Sequence, residues 1–192
     1  MSLYRQMVTI EDVRLALTAH LELWTPAYIA EVGRQRGIDL PGFRGFGFET
    51  ADAYPVCITA CAGTDGQPER HGDGTVTAAY PVVAAAVVSG VTRESATALA
   101  GYYGAAIRGA VLQHASLGGF SAETTWTGES VQEVAFDSGQ SIMSCHERFT
   151  ILVDATVNTL GGPATPPAIP DLPPGDYPQV TLVVPQILHK GS

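Results

Sequence analysis

The chain has 192 residues, 45% hydrophobic and 15% charged, with ten basic against nineteen acidic side chains and a net charge of −9. That is enough apolar material for one core of ordinary size and too little charge for a disordered chain. The acidic balance argues against a protein built to gather phosphates, because nucleic-acid affinity rests on clustered Lys and Arg.

The longest uninterrupted apolar stretch, residues 82–88, is far short of the roughly 20 residues a membrane helix needs, so no membrane partner is expected. Residues 1–6 lack the apolar core of a secretory signal. Three cysteines, Cys57, Cys61 and Cys145, do not make a disulfide framework, and reduced, buried thiols in a cytoplasm-like compartment are expected.

In chain order, Thr9 reads as a helix N-cap with Glu11 and Asp12 in the first turn, where acids meet the positive end of the helix dipole. Val13, Leu17, Leu21 and Trp24 follow at helical spacing. Thr25-Pro26 repeats the start signal, which predicts a second helix or a kinked continuation to about Arg36, closed by Gly37. Residues 40–48 read as an irregular loop pinned to the core by its aromatics, and 54–62 as a strand.

Residues 64–74 carry two Asp-Gly pairs and Pro68 and predict an exposed loop. Its functional groups, Asp65, Glu69, Arg70, His71 and Asp73, are the candidate partner-contacting set. The β-branched run 75–91 predicts a strand, with Pro81 implying an edge position or a bulge. A long helix opens at Thr92 and runs to about His114, ahead of Gly118 and Gly119. Gly101, Ala105 and Gly109 form a stripe of small residues along it, which predicts close approach by a neighbouring element. Strands 129–136 and 141–157, joined by Asp137-Ser138-Gly139, close the pattern. Phe149, Ile151, Val153 and Ala155 alternate with Arg148, Thr150, Leu152 and Asp154, so the second strand is half-buried. The expected architecture is α+β: a mostly antiparallel sheet with helices packed on one face, over residues 1–160.

From residue 161 the composition changes, and eight of the thirteen prolines lie between Pro163 and Pro185. Residues 161–192 are therefore expected to form a stiff, extended C-terminal arm. It ends in a β-prone run, 179–184, suited to adding to a sheet edge of its own or a neighbouring domain. Val180, Leu182, Val184 and Ile187 are the candidate subunit-interface residues.

Chemistry-bearing patterns point away from catalysis. Gly42, Gly45 and Gly47 do not keep a dinucleotide-binding spacing, and no histidine pair stands at a metal-ligand interval. Cys145 and His146 are adjacent on a strand and so face opposite sides. Glu11 with Asp12, and Glu123 with Glu129, read as helix-start and surface carboxylates. No catalytic residue, cofactor or metal is expected. A small hydrolase or isomerase using His71 and Asp73, and a monomeric binding module, are the rival readings.

The order and texture of residues 7–158 resemble the tail terminator (tail-completion) proteins of long-tailed bacteriophages. The likeness rests on the N-terminal helix, the strand and hairpin loop, the strand leading into helix 92–114, and the closing hairpin that ends Glu147-Arg148-Phe149-Thr150-Ile151-Leu152-Val153-Asp154-Ala155-Thr156-Val157. The resemblance implies a non-enzymatic virion protein of the neck, assembled in the host cytoplasm. Copies would form a ring, usually of six, that caps the tail tube protein and joins it to the head-tail connector proteins. DNA would pass through the lumen without specific binding, and a negative wall suits that passage. A head-tail adaptor or stopper of the same neck region is the nearest alternative.

Overall fold

In a computed structural model the described residues are 8–47, 54–72, 75–137 and 140–154. Helix α1 spans Ile10–Arg36, and strands β1 (Val56–Cys61), β2 (Asp65–Arg70) and β3 (Val76–Gly90) follow. Helix α2 (Arg93–Gln113) leads through a short 3-10 turn into the hairpin β4 (Glu123–Asp137) and β5 (Gln140–Asp154). The fold is α+β: two helices pack on a five-stranded antiparallel sheet.

Both helices start where the local chemistry satisfies their free N–H groups. Thr9 accepts from the backbone N–H of Asp12 at 3.2 Å while the Asp12 carboxylate accepts from the Thr9 N–H at 2.8 Å. Thr92 and Ser95 make the same reciprocal pair at 3.1 Å each way. Such caps contribute about 1 kcal/mol each. Helix α1 continues through Pro26 without a second start, and Thr25 turns its hydroxyl back onto the Leu21 carbonyl at 2.7 Å instead of capping a new helix. Gly37 ends α1 at φ 66°, the left-handed conformation a side chain disfavours.

The strand order is β1-β3-β5-β4, with β2 pairing the early part of β3. The core lies between sheet and helices. Val13, Leu17, Leu21 and Ile29 of α1 and Ala100, Tyr103, Ile107 and Val111 of α2 meet alternate residues of β3 and β5. A smaller apolar cluster, Val56, Val87 and Ile142, belongs to the opposite alternation and so lies on the other face of the sheet.

Four expectations need correction. Residues 65–70 are a strand, not a loop, although every one of them is exposed. Strand β3 is longer than β1, which covers only residues 82–87. The uncovered backbone of 76–79 is met by β2, and a register shift between Asp65 and Glu69 accommodates the loop-like composition. Pro81 sits inside the sheet, paired with Thr150 of β5. Its missing N–H does no harm because Pro81 falls between the β1 and β2 pairings, where its carbonyl accepts only from Ala62 at 3.5 Å. The small stripe of α2 is packed only in part. A Cβ on Gly109 would meet the Tyr28 ring at 2.8 Å, whereas one on Gly101 would meet nothing within 4 Å. Strand β4 also begins six residues earlier than its polar start suggests.

Candidate functional site

Strand β4 is one outer strand of the sheet, and among the described residues no strand pairs with its outer edge. Register shifts at Trp126/Gly128 and Glu133/Ala135 interrupt it, leaving an even run over residues 128–133. Along or beside that run Trp126, Val131 and Val134 are 38%, 40% and 55% exposed. An edge with no described partner strand, flanked by exposed apolar side chains, is a template for another strand. At its helix-facing side, Arg93 of α2 approaches Glu133 at 3.6 Å, and Arg108 meets Glu129 at 2.5 Å.

Behind this edge lies a polar cluster that the sequence reading did not single out. Glu147 of β5 pairs across the strands with Glu129 and is fully buried. Its Oε2 accepts from Trp126 Nε1 at 2.7 Å. Its Oε1 has no hydrogen-bond partner, and the nearest cation, Arg108 Nη1, is 3.7 Å away. The Arg108 guanidinium is drawn off by Glu129 and by the Trp126 ring, whose centroid is 4.9 Å from Cζ. Burial first, and the negative charge of Glu129 with it, push the Glu147 carboxyl up to about 7, against the opposing pull of Trp126 and Arg108. Only glycine fits above it: a Cβ at Gly104 would stand 2.9 Å from Glu147 Oε1 and closer still to Cys145 Sγ. The signal was available, since the alternation that buries Phe149, Ile151 and Val153 reaches Glu147 two residues earlier.

The predicted partner-contacting residues scatter along an exposed hairpin. Asp65, Glu69 and Arg70 lie on β2, His71 follows it, and Asp73 lies outside the described residues. His71 is brought to Thr77, Nε2 to Oγ1 2.6 Å, and the Thr77 hydroxyl donates to Asp154 at 2.7 Å. With the hydroxyl proton directed at a carboxylate, the imidazole donates to the threonine oxygen and is not placed to accept its proton. The chain of bonds ties the β2–β3 hairpin to the end of β5. Val180, Leu182, Val184 and Ile187 lie outside the described residues.

Cys57, Cys145 and His20 are packed as core, and Cys61, His114 and His146 are half-buried. Burial raises the Cys145 thiol to about 12 and pushes Cys57 up as well. His20, which shares a hydrogen bond with the Ala110 carbonyl at 3.1 Å, is held below its usual range by burial. His114 stacks on Trp24 with centroids 3.7 Å apart. Among the described residues no group of three His, Cys, Asp or Glu side chains is placed to hold a metal ion, and no helix is long and apolar enough to cross a membrane.

The described residues thus define a two-layer α+β domain with one long free sheet edge. No protein-family model and no curated protein matches the chain.

Proposed function

We propose that the chain is a structural assembly protein of the tail-terminator kind, whose copies join into a ring that caps a phage tail tube and meets the head connector. The observation that carries this reading is the free β4 edge. Its even run, residues 128–133, is six residues long, and so is the β-prone run 179–184 of the arm. A strand from one copy completing the sheet of the next is a head-to-tail contact, and such contacts close into rings when the rotation closes. The acidic surplus supports a lumen that DNA traverses without being held.

Deleting 161–192 tests the reading. Among the described residues the core is built before residue 155, and circular dichroism and thermal unfolding of the truncated chain are expected to stay near those of the full chain. Light scattering and negative-stain images are expected to lose the ring. A truncated chain that assembles as well as the full one defeats the proposal.

A further inference from the structure

A cleft of about 400 Å³ opens where β3 ends and β5 begins, beside Val88, Ser89 and Gln140. Two prolines and two tyrosines, Pro41, Pro55, Tyr54 and Tyr103, line it together with Leu99 and Arg44. Tyr103 and Pro55 are buried, Tyr54 and Leu99 half-buried, and Pro41 and Arg44 exposed. The walls are fixed in advance. Tyr103 donates its hydroxyl to the Pro41 carbonyl at 2.6 Å, and the Arg44 N–H binds the Pro55 carbonyl at 2.8 Å. Among the described residues no carboxylate pairs with the Arg44 guanidinium.

Aromatic and prolyl walls with one cation at the rim suit a polyproline strand carrying an acid. Such a strand is already extended, so little entropy is lost on docking, and its rings lie flat on aromatic surfaces. The chain contains that ligand in Pro166-Pro167-Ala168-Ile169-Pro170-Asp171-Leu172-Pro173-Pro174. In a polyproline strand of three residues per turn, positions 167, 170 and 173 would share one side, with 171 beside them.

Reach favours a neighbour's cleft. The described chain stops at Asp154, the opposite end of the fifteen-residue β5 from the cleft at Gln140, a strand length on the order of 50 Å. Seventeen residues separate Asp154 from Asp171 and span at most about 53 Å as polyproline. Within one copy, the arm would have to run back straight along the whole strand. A neighbouring copy imposes no such constraint.

We infer that this cleft receives the proline-rich segment 166–174 of a second copy, with Asp171 paired to Arg44. The inference rests on the reading that copies associate, and it extends to the β4 edge. Val88 of the cleft, Met143 and Glu133 lie in one row across the sheet, so the cleft and the edge are two strand spacings apart, about 10 Å. The eight residues from Asp171 to Gln179 reach about 25 Å. One arm can therefore fill the cleft and deliver 179–184 to the edge of the same neighbour.

The test is a disulfide trap in the full chain: Arg44→Cys with Asp171→Cys, in a Cys61→Ser background that leaves only buried native thiols. Under mild oxidation a ladder of covalent multimers on a non-reducing gel is expected. A band that stays at one-chain mass but migrates faster means the arm docks in its own chain, and overturns the inference. So does the absence of any cross-link. A charge exchange makes the readout quantitative: Arg44→Asp is expected to weaken association about tenfold, and Arg44→Asp with Asp171→Arg to restore it. Light scattering of the unaltered chain separates the two levels. Oligomers without the cross-link sink the cleft alone, and a monomer at every concentration sinks the assembly reading with it.

Discussion

Along β1, one outer residue is taken up by the chain itself: Cys57 donates to Gly45 and accepts from Gly47, at 3.0 and 2.9 Å. Along β4, fifteen residues long, no described strand does the same. Helix α2 repeats the contrast. Its inner side brings Gly104 so close to Cys145 and Glu147 that no methyl group fits, while Gly101 on its outer side has open space. One stretch of sheet edge is met by the chain's own residues, and the other has no partner among the described ones. Completeness is therefore a local property of this fold, and function is to be sought where packing stops.

The contrast can be broken on the finished side first. Gly104→Val is expected to cost about 3 kcal/mol, because the new side chain meets a strand that cannot retreat. Denaturant unfolding would measure it, and an unaffected midpoint would mean α2 is not seated tightly on β5. Next comes the buried carboxyl. The folded chain holds the Glu147 proton more tightly than the unfolded one, so this group's contribution falls as pH rises from about 4.5 through 7. Glu147→Gln keeps an acceptor for Trp126 and removes the ionisation. The variant is expected to gain on the wild type by about 1–3 kcal/mol between pH 5 and pH 8. Parallel stability curves across that range would contradict the burial argument.

On the open side, Val131→Lys with Val134→Lys places charge where a partner strand must lie. Association is expected to weaken at least tenfold, about 1.4 kcal/mol, with the melting temperature of the isolated chain nearly unchanged. The smallest effect is Gly101→Ala, which fills empty space in a helix interior and is expected to add about 0.5–1 kcal/mol. A loss there, in thermal unfolding of the unassociated chain, would show that the outer side of α2 is packed after all.

Much of this contrast was legible in the residues, and what was not has physical reasons. Thr9 with Asp12 and Gly37 announced the ends of α1 through capping chemistry that acts within one turn, and the alternation through β5 announced its buried side. Strand β2 was hidden because its partner is the surplus length of β3, a fact about another segment. Asp65, Gly66 and Pro68 carry no strand signal of their own. Pro81 read as an edge or bulge residue because nothing local says that two partner strands change over beside it. Glu147 was within reach of the pattern, yet a glutamate among core positions looks like an error of register until Trp126 and Arg108 are brought beside it. The partner-contacting set was read onto an exposed loop; its residues 65–70 are exposed but pair as a strand, and its histidine is engaged by Thr77, a contact that only the pairing of β2 with β3 creates.

The central claim is that backbone groups on the outer side of β4 are completed by another copy. Hydrogen exchange read at residues 128–133, in dilute and in concentrated full-length protein, tests it most directly. The account predicts that amides in this run gain protection as the chain associates, while those of residues 44–47 change little. Association that leaves 128–133 exchanging at the dilute rate would contradict it.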